Sequence, residues 1–274
     1  MRVSMKRRNY SAVIAFILLS SMCLLASCGG GGTAAFIVAG STSVQPYAEI
    51  LAEEYAHLQP EIEIDVQGGG SSAGITAVES GTADIGMSSR NLKEAEQHLW
   101  HIEITKDGLA IIIHPDNPAR DLTLEQLRGI YAADIVNWIQ VGGHDAKIHI
   151  ITREEGSGTR SAFEEMVMGE KRISPGAIVQ DSNGAVRQLV ADDRNSIGFI
   201  SLGLVEIGER PVKALHINGV EASRDNIING SYKLYRPFLF VALSEPTGPI
   251  KEFIDYICSP EGKRILADEG LIPE

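Results

Sequence analysis

The sequence predicts an α/β fold, in which β-strands and α-helices alternate along the chain. Apolar runs of strand length, such as residues 109–113, alternate with segments in which apolar residues recur at helical spacing, as Val44, Leu51 and Tyr55 do. Loops rich in glycine, serine and threonine separate many of these segments. A chain with this order builds a sheet that is covered by helices.

The individual elements follow from local patterns. Residues 35–39 form a short apolar strand, and the helix after it accepts Pro46 because proline is tolerated in a first helical turn. Ile62, Ile64 and Val66 alternate with acidic residues, as in a half-buried strand. The remaining predicted strands are residues 83–87, 109–113, 148–151, 177–179, 197–200 and 238–243. The remaining predicted helices are residues 73–79, 91–100, 122–131, 160–168, 185–192 and 249–266.

The N-terminus has the pattern of a secretory signal peptide. A positively charged start precedes an apolar run at residues 12–25, and small residues follow just before Cys28. The run is short for a membrane span, and its charged flank and the glycines at 29–32 disfavour a transmembrane or buried core helix. The segment Leu-Ala-Ser-Cys at 25–28 resembles the bacterial lipobox, which implies a lipid anchor on Cys28. We therefore expect a signal peptide at residues 1–27, an anchor and glycine-rich linker at residues 28–35, and an extracytoplasmic chain lipid-anchored to the cell membrane.

Cysteine content and charge narrow the class of protein. With Cys23 in the signal and Cys28 lipidated, only Cys258 remains in the globular part, so we expect no intramolecular disulfide there. The formal net charge is −12, and removal of the signal peptide removes cations but no acids. So acidic a surface repels nucleic acid and anionic lipid, which we exclude as partners. An anion site in this chain must therefore act through local donors in a cleft.

Four strand-to-helix loops combine hydroxyl side chains with glycine or arginine. They are the first loop (residues 40–43), the glycine-rich loop (residues 68–72), the serine loop (residues 88–90) and the arginine loop (residues 156–159), which is named after Arg153 at the end of the strand before it. Unpaired N–H groups at helix starts, together with serine and threonine hydroxyls, suit a tetrahedral oxyanion. Arg153 adds charge-assisted, bidentate pairing, and Glu155 is near enough in sequence to orient it.

Each loop also has a simpler explanation, because serine and threonine are the usual helix N-caps and glycine is the usual turn residue. Taken singly, each loop is better explained by capping than by binding. All four, however, follow predicted strands, and open α/β sheets bind ligands at the carboxyl ends of their strands, so their number favours an anion site. Arg90 and Arg160 are weaker candidates. Each could be a solvated helix residue or a partner for Glu94 or Glu164, and we favour that role for Arg160.

A family resemblance follows from these loops. In order along the chain, the segments GSTSVQPYAE, QGGGSSAGI, TADIGMSSR, ITREEGSGTR, NGAV and IGFISLG resemble the phosphate-binding subunits of bacterial and archaeal ABC phosphate importers, from Phe36 to the C-terminus. The resemblance implies a two-lobed periplasmic-binding-protein fold of type II, with two crossovers, which we place near His114 and Phe238. Lobe I is then residues 36–113 plus 240–274, and lobe II is residues 114–239. It also implies capture of inorganic phosphate by hinge closure and delivery to importer permease subunits, by a monomer that is not an enzyme.

The resemblance also implies a set of phosphate-binding residues. They are Thr42, Ser43, Ser71, Ser89, Arg153, Ser157, Gly158 and Thr159. Ser89 stands where the best-known family members place an aspartate, which accepts a hydrogen bond from protonated phosphate and repels sulfate. Because serine donates as readily as it accepts, sulfate, molybdate and tungstate stay open as alternative ligands.

Other classes of function have weaker patterns. Residues 70–74 match the G-x-S-x-G nucleophile elbow of serine esterases, with Ser72 as nucleophile, but no loop singles out a histidine partner. His98 and His101 are three apart on a predicted helix without a recognisable set of metal ligands, so we expect no metal and no cofactor. No phosphate-transfer or dinucleotide loop occurs, which argues against nucleotide chemistry. An adhesin or signalling module on the same fold stays an alternative.

Overall fold

Alternating strands and helices make up the chain, as predicted. The computed structural model describes residues 34–208 and 210–273, so the predicted signal peptide, Cys28 and linker residues 28–33 lie outside it. The strands are β1 (Ala34–Gly40), β2 (Ile62–Gly68), β3 (Ile85–Ser88), β4 (Trp100–Ile113), β5 (Asp121–Leu122), β6 (His149–Arg153), β7 (Ile178–Gln180), β8 (Ser196–Ser201), β9 (Lys213–Ala214), β10 (His216–Ile217) and β11 (Tyr235–Ala242). The α-helices are α1 (Gln45–Leu58), α2 (Ser71–Glu79), α3 (Leu124–Tyr131), α4 (Gly158–Phe163), α5 (Asn183–Asp192), α6 (Arg224–Ile228), α7 (Gly248–Cys258) and α8 (Pro260–Asp268). None of the helices within these ranges is long and apolar enough to cross a membrane.

One mixed sheet runs through the molecule in the order β2-β1-β3-β11-β4-β8-β6-β7, with β9 also paired to β4. β1 and β3 are parallel near one end, and β6 is parallel to both β7 and β8 at the other. Parallel neighbours need a crossover connection, which the intervening helices supply. The loops that follow β1, β3 and β6 therefore leave the carboxyl ends of parallel strands, where the sequence placed them.

Two antiparallel strands, β4 and β11, join the ends of the sheet. Residues 100–108 of β4 pair with β11, whereas residues 109–113 pair with β8. β11 brings the chain back and also pairs with β3. His114, the predicted position of the first crossover, directly follows β4, and Phe238, the predicted position of the second, lies within β11.

Apolar side chains form two main cores. The first core is centred on the buried residues Tyr47, Leu51, Phe238, Phe240 and Phe253. The second core is centred on the buried residues Tyr131, Trp138, Phe163, Phe199 and Tyr232. Residues 109–113 of β4 alternate between the two cores, since successive strand side chains point to opposite faces. Both faces of this strand are therefore covered, which accounts for its unbroken apolar sequence.

The prediction of a helix over residues 91–100 is wrong. This segment contains a single 3₁₀ turn, Glu94–Glu96, and β4 begins at Trp100. Leu92 and Leu99 are both buried, and their separation of seven residues imitates two turns of an amphipathic helix. Trp100 pairs with Ala242 at the end of β11 and so belongs to β4 and not to a helix. Contacts with a distant strand therefore override the helical spacing of the local sequence.

The predicted C-terminal helix, residues 249–266, is divided into α7 and α8. Ser259 has extended backbone angles (φ −69°, ψ 165°) because a residue before proline is hindered from the helical conformation. Its side chain then accepts a hydrogen bond from the Gly262 N–H at 3.3 Å and caps α8.

Candidate functional site

The four loops meet at one buried place between the two ends of the sheet. They contribute six hydroxyl side chains that are at most 2% exposed: Ser41, Ser43, Ser71, Ser89, Ser157 and Thr159. Thr42 is half-buried, and its hydroxyl accepts a hydrogen bond of 3.4 Å from the Asn183 side chain. Loops that are far apart in the sequence are thus brought into contact.

Three serines from different loops form a hydroxyl chain on one side of this place. Ser41 donates to the Ser89 hydroxyl at 2.8 Å, and the backbone N–H of Ser89 donates to the Ser71 hydroxyl at 3.0 Å. The Ser71 and Ser89 hydroxyl oxygens lie 3.4 Å apart, and either one has the geometry to donate. The first loop, the glycine-rich loop and the serine loop are therefore held in one arrangement by their own side chains.

The arginine loop approaches this chain of serines from the other side. The Ser43 and Thr159 hydroxyl oxygens lie 2.8 Å apart, and the Ser72 N–H donates to the Gly156 carbonyl at 3.0 Å. Gly158 packs so tightly that a Cβ built on it would overlap the Ser71 hydroxyl oxygen. Glycine is therefore required at 158 for the two sides to meet at this distance.

Capping explains only one of the candidate serines. The N-cap residues of α1 and α2 are Val44 and Gly70, so Ser43 and Ser71 do not occupy the capping position. Ser157 does cap α4, because its hydroxyl accepts a hydrogen bond of 3.3 Å from the Arg160 N–H. The buried hydroxyls of the first and glycine-rich loops therefore need another explanation than capping.

Arg153 lies at the end of β6 and is 1% exposed. Its Nε and Nη2 atoms donate to the Glu154 carboxylate at 2.9 and 2.8 Å, and Nη2 also donates to the Asp181 carbonyl at 3.0 Å. The expectation that Glu155 orients Arg153 is wrong, since Glu154 does so. Nη1 is buried and has no hydrogen-bond partner within the residues that the structure describes. A buried guanidinium N–H in this position is a donor suited to an anion.

The two weaker arginine candidates pair with carboxylates. Arg90 is 4% exposed and contacts Glu96 at 2.7 Å, rather than the predicted Glu94. Desolvation opposes ionisation of Glu96, but hydrogen bonds from Arg90 and from the Lys93 backbone outweigh it and lower the pKa of Glu96 from its ordinary value. Arg160 pairs with Glu164 at 2.9 Å, as favoured from the sequence.

Sequence reasoning missed two residues that adjoin Ser43. The Asn183 side chain donates to the Ser43 hydroxyl at 2.8 Å, and Arg236 Nη2 donates to the same oxygen at 3.0 Å. Asn183 begins α5, which is separated from the end of β7 by two residues, and it lies within the NGAV segment, so its position after a strand was a usable signal. Arg236 lies at the start of β11, which begins at Tyr235, whereas the strand predicted from the sequence begins only at residue 238.

Arg236 forms a buried ion pair with Asp107. Its Nε and Nη2 atoms donate to Asp107 Oδ2 at 3.1 and 3.0 Å, and Ser201 donates to Oδ1 at 2.7 Å. Burial raises the pKa of Asp107 and lowers the pKa of Arg236, because each charge is removed from water. Arginine keeps its proton at any ordinary pH, so we take the pair to be held together by charge-assisted hydrogen bonds.

The unused hydrogen-bond donors and acceptors of the buried hydroxyls determine what they can bind. The Ser71 and Ser89 oxygens each accept one hydrogen bond, from the Ser89 N–H and from Ser41, and they share one between themselves. Each hydroxyl has one hydrogen and two lone pairs, so the two together retain one donor and one acceptor. The Ser71 and Ser89 pair thus offers one donor and one neutral acceptor, and Arg153 Nη1 is a further unpaired donor, a combination that suits an oxyanion that carries a single proton.

Ser72, the esterase candidate, accepts a hydrogen bond of 3.3 Å from Arg90 Nη2. Three histidines that follow Ser72 in the chain have other environments: His144 contacts Asn195, His149 contacts Asp193, and His216 is exposed in β10. Ser72 is therefore next to a permanent cation rather than a base. In the part of the chain that the structure describes, no group of three or more His, Cys, Asp or Glu side chains is arranged to hold a metal ion.

Comparison with known proteins gives consistent matches over most of the chain. A family model of the PBP superfamily domain matches residues 29–261. The sequence is 30% identical over 263 residues to the phosphate-binding protein PstS of Pseudomonas aeruginosa, an alignment that covers 85% of this chain and 81% of the relative. It is 29% identical to PstS of Bacillus subtilis, with 95% of this chain and 93% of the relative covered.

Solved structures agree with the sequence matches. The fold is similar to that of a protein from Clostridium perfringens described as a phosphate ABC transporter substrate-binding protein and solved with bound phosphate. The TM-score is 0.83 at 41% identity, covering 88% of this chain and 99% of that one. An ABC-type phosphate transport receptor from Vibrio cholerae is 40% identical with a TM-score of 0.72, covering 87% of this chain and all (100%) of that one.

Proposed function

The chain belongs to the PBP superfamily, among the PstS-like phosphate-binding proteins, and we propose that it captures inorganic phosphate between two lobes and delivers it to an ABC-type importer. The observation that carries this proposal is the buried cluster of hydroxyls from the four loops, together with the buried, unpaired Nη1 of Arg153 at the end of β6. The loops that carry these hydroxyls come from both ends of the sheet. The Clostridium relative was solved with phosphate bound, which supports phosphate as the ligand here.

The two lobes correspond to the two ends of the sheet in this proposal. β4 and β11 carry the chain across, so lobe I comprises residues 36–113 and 240–274 and lobe II comprises residues 114–239. Ser43, Ser71 and Ser89 belong to lobe I, whereas Arg153 and Thr159 belong to lobe II. Bending of β4 and β11 opens and closes the cleft, and phosphate stabilises closure because it contacts both lobes.

Phosphate is favoured over the other oxyanions by the acceptor that Ser71 and Ser89 retain. Monohydrogen phosphate carries one proton and needs one acceptor, whereas sulfate carries none at neutral pH. Ser89 thereby takes over, together with Ser71, the accepting role that an aspartate has in the best-known family members. A neutral acceptor repels sulfate less than a carboxylate does, so we expect discrimination to be weaker in this chain.

Transport also requires a location outside the cytoplasm, which the predicted signal peptide and the PstS-like relatives support. Lipidation of Cys28 would tether a monomeric chain to the membrane next to the permease subunits. Replacement of Cys28 by serine is expected to move the chain from the membrane fraction to the soluble extracytoplasmic fraction. Retention of the Cys28→Ser chain on the membrane would contradict the lipid anchor.

The proposal describes a binding protein and not an enzyme. Catalysis by Ser72 would require a base within hydrogen-bond reach, and its observed contact is with Arg90. The relatives are binding proteins by name, which supports the same conclusion. Hydrolysis of a nitrophenyl ester that is lost in Ser72→Ala would restore the esterase alternative.

Isothermal titration of the purified chain with phosphate, sulfate, molybdate and tungstate tests the function. We expect one-to-one binding with phosphate bound most tightly. Tighter binding of another oxyanion would keep the fold and the site but change the substrate. Binding of none of the four anions would contradict the proposed function.

A further inference from the structure

Ser43 has an unusual hydrogen-bond environment among the site hydroxyls. Its oxygen receives hydrogen bonds from Arg236 Nη2 at 3.0 Å and from Asn183 Nδ2 at 2.8 Å. Guanidinium and amide nitrogens donate and never accept, so these two contacts occupy both lone pairs of the Ser43 oxygen. The Ser43 hydroxyl hydrogen is therefore left to be donated, either to Thr159 or to a bound anion.

Arg236 is itself held in place by buried groups. Arg236 and Asp107 are directly opposite each other on β11 and β4, and their side chains are 2% and 0% exposed. Ser201 anchors the other Asp107 oxygen at 2.7 Å, and the guanidinium lies over the Phe238 ring, 5.5 Å from its centre. These contacts restrict Arg236 to the orientation in which Nη2 reaches Ser43.

Asn183, at the start of α5, is equally restricted. Its Oδ1 atom accepts a hydrogen bond from the Ser201 N–H at 3.2 Å, which orients the amide so that Nδ2 faces Ser43. Ser201 thus helps to position both donors to Ser43. Its hydroxyl donates to Asp107, which holds Arg236, and its N–H donates to Asn183. The donors to Ser43 come from α5 and from β11, one of the two strands that cross between the lobes.

We propose that Arg236 and Asn183 are positioning residues, which fix Ser43 as an obligate hydrogen-bond donor to an unprotonated oxygen of the bound anion. This inference rests on the proposed function. The anion would then make two chemically different kinds of contact with the site hydroxyls. Ser43 contacts only an ionised oxygen, whereas the Ser71 and Ser89 pair retains an acceptor for the oxygen that carries a proton. The orientation of a singly protonated anion in the cleft follows from this difference.

A double-mutant cycle on phosphate affinity tests the inference. Arg236→Met is combined with Asp107→Asn, so that a charged pair of zero net charge is replaced by a neutral pair. We expect this pair variant to weaken phosphate binding roughly tenfold, as for loss of a charge-assisted hydrogen-bond contact. In a Ser43→Ala background the same change should alter affinity by less than about twofold, because the hydroxyl it positions is gone. A change of equal size in both backgrounds would overturn the inference.

A second cycle keeps the test decisive if the pair variant does not fold. Asn183→Ala removes the other donor to Ser43 and should likewise weaken binding only when Ser43 is present. Additive effects of Asn183→Ala and Ser43→Ala would also overturn the inference. Arg187→Met is the matched control for Arg236→Met. Arg187 is also buried, at 8% exposed, but it donates to the carbonyls of Val205 and Arg210 and not to Ser43. This control should lower stability and show no coupling to Ser43.

The same titrations separate failure of the inference from failure of the function. Phosphate binding by the unmodified chain, together with additive cycles, would leave the proposed function intact and remove the positioning role. Failure of the unmodified chain to bind any of the four oxyanions would remove both.

Discussion

Gly158 of the arginine loop lies against Ser71 of the glycine-rich loop, with no room between them for a side chain. A Cβ built on Gly158 would overlap the Ser71 hydroxyl oxygen and lie 2.5 Å from that of Ser89. Real Cβ atoms do not approach oxygen so closely, so an alanine at 158 must push the two loops apart or displace both serines. This single contact joins the arginine loop to the glycine-rich and serine loops.

Gly158→Ala is therefore expected to weaken phosphate binding by about 1 to 3 kcal/mol, the usual cost of overpacking a buried contact. The backbone of Gly158 is helical, so alanine should not strain it, and the variant should stay folded. Isothermal titration measures the affinity, and thermal unfolding checks stability.

Gly184→Ala is the matched control for that variant. Gly184 also lies in the first turn of a helix, and a Cβ built on it meets no atom within 4 Å in the described part of the chain. Its affinity should be unchanged. If Gly158→Ala and the unmodified chain bind phosphate equally well, the close contact between Gly158 and Ser71 is not present in the phosphate-bound protein.

Arg153→Ala should weaken anion binding by about 2 to 4 kcal/mol, because it removes a buried guanidinium whose Nη1 is unpaired among the described residues and which we place in the site. The lobes should stay folded, which circular dichroism can check. Arg264→Ala serves as the control, since Arg264 is exposed and pairs with Glu261 and Asp268 on the surface. Unchanged affinity in Arg153→Ala would remove Arg153 from the site.

Ser89→Asp should sharpen selectivity for phosphate over sulfate. A carboxylate accepts the phosphate proton and repels an anion that has no proton to give, so the ratio of the two dissociation constants should rise about tenfold. Ser89→Ala is the companion variant and should bind phosphate less tightly without gaining selectivity. If Ser89→Asp loses the same affinity for both ions, Ser89 does not contact the ligand.

The Arg90–Glu96 ion pair predicts a dependence of stability on pH. The pKa of Glu96 is lowered in the folded chain, so its contribution is present above the unfolded-state pKa, about 4.3, and is lost as pH falls below it. Glu96→Gln should therefore destabilise the chain by about 1 to 2 kcal/mol at neutral pH. The difference from the unmodified chain should shrink as pH falls below about 4. Urea unfolding at several pH values measures both quantities, and a difference that is constant with pH would contradict the assignment.

The sequence was sufficient to predict the α/β order and the two-lobed fold, because these depend on local periodicity and on distinctive loop segments. The loops that carry Ser43, Ser71 and Thr159 follow predicted strands, and the structure brings these three hydroxyls into one buried cluster, although their role as phosphate ligands stays a prediction. Residues 91–100 were mispredicted as a helix because the burial of Leu92 and Leu99 mimics helical spacing while their real partners lie far away in the sequence.

Arg236 and Asp107 could not be found in the same way. They are charged residues on strands, and nothing in their local sequence indicates that they lie opposite each other. Their pairing depends on the register of β4 and β11, which are separated in the sequence by residues 114–234. The identity of the group that orients Arg153 was also hidden, because Glu154 and Glu155 are adjacent and only the conformation of the loop decides between them.

A crystal structure of the chain with arsenate, a tetrahedral analogue of phosphate with a strong anomalous signal, tests the central claim most directly. We expect one arsenic peak inside the hydroxyl cluster, with ligand oxygens within hydrogen-bond distance of Ser43, of Ser71 or Ser89, and of Arg153 Nη1. An arsenic peak that lies outside the cleft and contacts only one lobe would contradict it.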